Sequence, residues 1–313
     1  MILLLLLLYV FLEGVVIYIL SKYTLKGISL MDCVRVNLAT QFFNAITPFA
    51  SGGQPFQVVY FHSRGIKVKD STSIVVMNFI TYSIAFVIVG LMCLIIKYSY
   101  FHVLLEGSGY RYLILVGISI NIIVTLFTIS LAFSKKLYYI LIEVLWKKII
   151  RWPILRRFHL DEKTSQFSKM ILDYQVKISE LKQNWFLWFM TILIHIIRVI
   201  IFAIIPLIIF QALGENLTGL WLNLIVASMF VDIIMSYVPT PGASGGAEGV
   251  FYLFFNLFFK TMVVPGLLLW RLITYYLYIV AGFIALVTLN YQNNLKDLNY
   301  DNVYDIEEEN SFE

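Results

Sequence analysis

The chain holds 313 residues, of which 60% are hydrophobic, 16% aromatic and only 13% charged, with a formal net charge of +4. Soluble domains carry about 25% charged residues, so a water-soluble fold is excluded and the bulk of the surface must face lipid. The sign of the net charge decides little, because in a membrane protein the position of charges matters more than their sum.

Apolar runs fall at residues 2–20, 28–46, 74–96, 112–133, 185–213, 217–238 and 263–289, and a helix needs about 20 such residues to span a bilayer. The first run follows Met1 directly, without the basic leader and small-residue cleavage site of a signal peptide. Lys22 and Lys26 mark the loop after it as cytoplasmic. Glu13 lies within the first run and Arg35, at i,i+3 from Asp32, close to the cytoplasmic end of the second; both are read as snorkelling residues. Cys33 and Cys93 lie in or beside apolar runs and read as small core residues.

The second run ends in "TPFASGG", Thr47 to Gly53. About ten apolar residues follow before the basic loop at 62–70, and ten helical residues rise about 15 Å, half a bilayer. This predicts a re-entrant hairpin that enters from the cytoplasm and returns there. Ser51 precedes Gln54 by three residues, the spacing of a capping box at the start of the returning half-helix.

Runs 74–96 and 112–133 lead to a stretch of another character. Residues 134–184 hold eleven Lys and Arg against five acids, which predicts a cytoplasmic insertion. Its first part, "KKLYYILIEVLWKKIIRW", alternates apolar and basic residues at helical spacing. It reads as an amphipathic helix lying on anionic lipid, or equally as a cytoplasmic helix packed on the bundle.

In run 185–213, Arg198 lies near mid-depth with His195 one turn earlier on the same face. Run 217–238 contains Asp232 and ends in "TPGASGG", Thr240 to Gly246, which repeats the first break in six of seven letters. About thirteen residues from Glu248 lead back outside, the same hairpin upside down. Arg271 stands some eight residues into the last run, and the acidic tail 291–313 is expected to be disordered in the cytoplasm.

The expected fold class is therefore all-α: a polytopic transmembrane helical bundle with two re-entrant broken helices in an inverted-topology repeat. Residues 1–110 form the first repeat and 111–290 the second. The second shows four segments and the first three, so either the first lacks a leading helix or the symmetry is imperfect. Paired Gly/Pro breaks in corresponding places point to the binding site.

The candidate substrate-binding residues are Thr47, Pro48, Ser51, Gly52, Gly53 and Gln54 of the first break, and Thr240, Pro241, Gly242, Ser244, Gly245, Gly246 and Glu248 of the second, with Arg271, Arg198 and Asp232 beside them. Proline withholds a donor and glycine permits positive φ, so each block ends one half-helix and starts another. Half-helix N-termini carry free N–H groups and partial positive charge, a natural seat for a phosphate. The two arginines fit bidentate phosphate binding, or a standing ion pairing with Asp232 and Glu248. Glu248 opens the second returning half-helix, where it could carry a proton. No nucleophile elbow, P-loop, dinucleotide fingerprint or metal-ligand spacing occurs, so no cofactor or metal and no nucleic-acid partner is expected.

"PTPGASGGAE", Pro239 to Glu248, resembles the P-x-P-G-G-x-G-x-x-E motif of the lysylphosphatidylglycerol synthase/flippase family, with Ala243 in place of the second glycine. "NAITPFASGGQPFQVVYF" is similar to that family's first motif in its G-G-Q-P form, and "LLLWRLITYYLYIVAGFI" to its last helix, with Arg271 at the arginine position. The resemblance covers nearly the whole chain. It implies a bacterial plasma-membrane protein that moves an anionic or aminoacylated phospholipid, or a polyprenyl-phosphate-type lipid, between leaflets. A homo-oligomer or a separate synthase chain is the partner it allows. The alternatives are the membrane component of phosphatidylglycerol lysyltransferase or another intramembrane lipid-modifying transferase. The 291–313 tail is too short for the family's acyltransferase domain.

Overall fold

The structure is a computed structural model that describes residues 1–24, 28–104, 106, 111–134 and 184–289. The basic insertion and the acidic tail expected from the sequence lie outside the described residues.

The described residues form an all-helical bundle without strands. In chain order the helices are α1 (Ile2–Thr24), α2 (Leu30–Ile46), α3 (Gly53–Ser63), α4 (Val68–Leu104), α5 (Arg111–Phe133), α6 (Trp185–Ala212), α7 (Trp221–Met235), α8 (Gly246–Phe255) and α9 (Val263–Arg271). The helix of α9 continues through a π turn, Leu272–Tyr276, to Leu289. Five stretches are long and apolar enough to cross a bilayer: Ile2–Lys22, Val68–Phe101, Tyr112–Phe133, Trp185–Ala212 and Val263–Leu289. The chain is a multi-pass membrane protein.

Surface exposure supports the same conclusion. Leu3, Leu4 and Leu7 of α1, Ile95 of α4, Ile123 and Leu126 of α5, and Phe283, Ile284 and Val287 after α9 all face outward. A soluble monomer rarely exposes contiguous apolar surface on this scale. The outward faces are as apolar as the core, as lipid exposure requires.

One boundary differs substantially from the expected run. α4 extends over 37 residues, beyond the expected 74–96 at both ends. Gly90 is its only glycine, it has no proline, and Asp70 lies in its first turn, where a carboxylate complements the helix dipole. Nothing in that stretch stops a helix.

The interior has two parts. Around α1–α4, Val16, Ile17, Cys33, Phe61, Ile74 and Met77 are fully or almost fully buried together. The larger cluster gathers the second half, where Phe251 stacks on Trp270 at 4.6 Å and on Phe255 at 4.3 Å, and Phe210 stacks on Phe259 at 4.1 Å. Offset aromatic stacking of this kind adds to simple area burial. α6 bridges the parts, packing on α1 and α4 as well as on α7 and α9.

Candidate functional site

Both heptapeptide breaks fold as a short 3₁₀ turn between two helices, and for four residues they share one backbone. Thr47 and Thr240 are extended (φ −112°, ψ 145° and φ −98°, ψ 152°). Pro48 and Pro241 open the turns, where the missing N–H is harmless. Phe49 and Gly242 are left-handed (φ 55°, ψ 21° and φ 59°, ψ 22°), and Ala50 and Ala243 follow at φ 50° and 53°. The paths part at the serines, Ser51 being helical (φ −87°, ψ −13°) and Ser244 extended (φ −59°, ψ 139°).

Phe49, Ala50 and Ala243 are the non-glycine residues with positive φ among the described residues, and all three lie in the breaks. An L-residue held there costs roughly 1–3 kcal/mol, so both turns are strained and the surrounding contacts must hold them.

Those contacts are specific. In the first break the Gly52 N–H donates to Thr47 Oγ1 at 2.9 Å, and the Gly53 N–H donates to Asn44 Oδ1 at 3.0 Å. Asn44 lies in the last turn of α2, so the outgoing helix caps the returning one. The capping box expected from Ser51 and Gln54 does not form. Ser51 is exposed and its hydroxyl donates to the Pro48 carbonyl at 2.9 Å. The reason is the register: α3 starts at Gly53 with Gly52 as its N-cap, one residue beyond Ser51.

In the second break Glu248 reaches back to accept the Gly245 N–H at 2.6 Å, half of a capping box with a glycine at the N-cap. Its other oxygen lies 2.6 Å from Arg271 Nε. Arg271 Nη1 donates to the Gly242 carbonyl at 3.0 Å and Nη2 approaches the Ala243 carbonyl at 3.4 Å. One guanidinium thus holds both the turn and the first turn of α8. Immediately after Arg271 the helix widens into the π turn, and Thr274 Oγ1 donates to the Trp270 carbonyl at 2.7 Å. Tyr275 lies against Gly242: a Cβ built there would stand 2.8 Å from its hydroxyl oxygen. The same hydroxyl donates to the Ala45 carbonyl at 3.3 Å, so Tyr275 spans the two breaks.

The two turns pack against each other and close one side of a cavity of about 280 Å³. Its wall takes Asn44 from the end of α2, Phe49 and Ala50 from the first break, and Thr240, Gly242 and Ala243 from the second. Arg271 and Asp232 face it, with the aromatic side chains of Tyr9, Tyr82, Trp270, Tyr275 and Tyr278. Of the residues expected at the site, Asp232, Thr240, Gly242 and Arg271 line the cavity. Thr47, Pro48, Ser51, Gly52, Gly53, Gln54, Pro241, Ser244, Gly245, Gly246 and Glu248 build the two turns and helix starts behind it.

Arg198 is elsewhere. It is 1% exposed and pairs with Glu13 of α1 rather than with Asp232 or Glu248. Its Nε donates to the Tyr9 carbonyl at 3.1 Å, Nη1 meets His195 Nδ1 at 2.9 Å, and the guanidinium lies 4.4 Å from the Tyr9 ring centroid. Glu13 also accepts from Asn78 Nδ2 at 3.4 Å and from Gln41 Nε2 at 3.5 Å. Glu13 is therefore an internal counter-charge joining α1, α2, α4 and α6, not a snorkelling residue. Tyr9 separates this network from the cavity.

The electrostatics of the cavity follow. The Gly52, Gly53 and Gly245 N–H groups and the Arg271 guanidinium already have partners within the chain. Among the described residues the Asp232 carboxylate has no hydrogen-bond or ion-pair partner, although the residue is only 6% exposed. The aromatic wall was missed at the sequence level, yet a signal existed: Tyr275 and Tyr278 follow Arg271 by four and seven residues, on one helix face. Among the described residues no group of three or more His, Cys, Asp or Glu side chains is arranged to hold a metal ion.

Comparison with known proteins agrees with this architecture. The chain is 28% identical to a UPF0104 membrane protein of Archaeoglobus fulgidus, over 87% of this chain and 80% of the relative. It is 22% identical to an uncharacterized MG306 homolog of Mycoplasma pneumoniae, over 76% of this chain and 63% of that protein, slightly less than two thirds of its length. No solved structure matches. The family model described as the lysylphosphatidylglycerol synthase TM region matches residues 1–282. That span takes in both breaks, the cavity and Arg271, and the chain belongs to the lysylphosphatidylglycerol synthase TM region family.

Proposed function

We propose that the protein is a lipid transporter that passes the headgroup of an anionic or aminoacylated phospholipid, or of a polyprenyl-phosphate-type lipid, between the leaflets of the cell membrane. The observation that carries this reading is the meeting of two helix pairs, broken by nearly identical heptapeptides, over one partly polar cavity inside an apolar bundle. Non-helical backbone is tolerated at membrane depth where it lines such a cavity, and paired breaks in corresponding halves are the usual seat of a transported ligand.

In this reading residues 1–110 and 111–290 are inverted repeats, and α2–α3 and α7–α8 are re-entrant hairpins. The headgroup enters the cavity while the acyl chains stay in lipid against the apolar outer faces. The strained turns at Phe49–Ala50 and Gly242–Ala243 supply two gates that can exchange one compact arrangement for another. Arg271 and Glu248 set the position of the second gate.

The test is reconstitution in vesicles carrying a headgroup-labelled phospholipid, with a membrane-impermeant quencher reporting the outer leaflet. Labelled lipid should cross faster than in protein-free vesicles, and the recovered lipid should be chemically unchanged. A crossing rate equal to that of protein-free vesicles, for anionic, aminoacylated and polyprenyl-phosphate lipids alike, would overturn the reading. A changed headgroup would assign a transferase instead.

A further inference from the structure

Asp232 lies in the last turn of α7, whose final residue is Met235. Three features set it apart from the other acids of the bundle. It faces the cavity while only 6% exposed, and among the described residues its carboxylate has no partner. It also stands at a helix C-terminus, where the dipole repels negative charge. Glu13 and Glu248, by contrast, are held by Arg198 and Arg271. An isolated carboxylate at membrane depth is retained where it does work.

The groups around it narrow what it can bind. α1 and α4 turn Tyr9 and Tyr82 toward it, and the long last helix adds Tyr278 and Arg271. α2 contributes the uncharged Gln41 and Asn44, and α6 contributes Val199 and Phe202. The Arg198–Glu13 pair lies behind Tyr9. Beside α7, α5 sets Gly117 against Ile233 and Ile234, and α8 offers Glu248, already held by Arg271. A divalent cation takes six or more oxygen ligands, and a single carboxylate among phenols does not provide them. An ammonium group would want free aromatic faces. The Tyr9 and Tyr82 rings already carry the Arg198 guanidinium at 4.4 and 5.9 Å, and the Trp270 and Tyr275 rings carry Arg271 at 5.3 Å each. A proton requires only the carboxylate itself, facing a cavity whose wall carries phenols.

We propose that Asp232 is a proton-carrying site, taking up and releasing one proton as the cavity changes its access from one side of the membrane to the other. The ligand is the proton itself, and the role goes to Asp232 rather than to Glu248. The coupling part of this inference rests on the transport reading above; the protonation of Asp232 does not.

Two measurements test it. The wild-type protein in membranes is treated with an apolar carbodiimide, which modifies protonated carboxyls, and the adduct is mapped by mass spectrometry across a pH series. Modification at Asp232 that falls as pH rises is expected; absence of an Asp232 adduct, or labelling independent of pH, overturns the proposal. In reconstituted vesicles an imposed pH gradient should accelerate lipid crossing in wild type and in Asp32→Asn, and the acceleration should be lost in Asp232→Asn and partly restored in Asp232→Glu. A gradient response retained in Asp232→Asn, or acceleration that follows sodium at constant pH, overturns it. If the wild type moves no lipid, the transport reading fails while the labelling result still decides whether Asp232 holds a proton.

Discussion

Arg271 Nε and Glu248 Oε1 lie 2.6 Å apart, and this contact joins the last membrane helix to the first turn of α8. The same guanidinium reaches the Gly242 and Ala243 carbonyls. Removing it leaves one Glu248 oxygen and two carbonyls without their partner, whereas a glutamine at 248 can still accept the Gly245 N–H. Arg271→Gln should therefore lower stability by about 1.5–3 kcal/mol and Glu248→Gln by about 1 kcal/mol. Thermal unfolding in one detergent gives the order, and a larger loss from Glu248→Gln would contradict the bracing role assigned to Arg271.

Gly242 answers to two constraints at once, a φ of 59° and the Tyr275 ring lying against it. Gly242→Ala meets the left-handed penalty of about 1–2 kcal/mol and then the ring. The two parts separate in a double mutant. Tyr275→Leu made in the Gly242→Ala background should recover only the ring contribution, leaving the backbone penalty. Full recovery would mean that the turn at 242 is not strained for a side-chain-bearing residue.

Much of this architecture is legible in the sequence, and the unreadable parts share a cause. Apolar runs mark the long helices because the requirement to face lipid is written in composition. The repeated T-P-x-A-S-G-G marks the breaks because proline and glycine act on their own backbone. Ser51 was the natural cap by spacing, yet Asn44, nine residues from the donor it caps, does that work. A cap from the preceding helix depends on how two helices cross, which local spacing does not encode. Arg198 was identifiable as a buried charge, but Glu13 is 185 residues away in sequence. Depth in a run reveals that a charge needs a partner and not which one it finds. Asp232 is the converse case: its significance lies in the partner it lacks, and only coordinates reveal that.

The reassigned cap makes a direct comparison possible. Asn44→Ala removes the acceptor for the Gly53 N–H and should cost about 1 kcal/mol, the usual value for a lost helix N-cap. Ser51→Ala removes only an exposed hydroxyl bonded to the carbonyl three residues back and should be neutral within about 0.5 kcal/mol, as for most surface changes. Because Asn44 also lines the cavity, Asn44→Ala should alter lipid crossing where Ser51→Ala does not. Melting curves and vesicle assays on the same two variants check both halves.

The Arg198–Glu13 pair makes the sharpest demand on stability. Arg198 is 1% exposed and the Glu13 side chain 13%, and between them they tie α6 to α1 with Gln41 of α2 and Asn78 of α4 attached. Deleting one member leaves a charge buried without its counterpart, and such single deletions typically cost about 3–5 kcal/mol. Removing both with apolar residues of similar volume leaves no orphan charge, so Arg198→Met with Glu13→Leu should lose much less than either change alone. The Asn78 amide would then lose its acceptor and Gln41 would keep only Asn37 Oδ1 at 3.4 Å, which keeps the double variant below wild type. Tyr9 connects this cluster to the cavity, its carbonyl accepting from Arg198 Nε and its ring forming part of the wall. The double variant should therefore fold yet move lipid more slowly if the pair positions Tyr9. A double variant as unstable as the single ones would show that the network's hydrogen bonds, and not the ion pair, hold these four helices together.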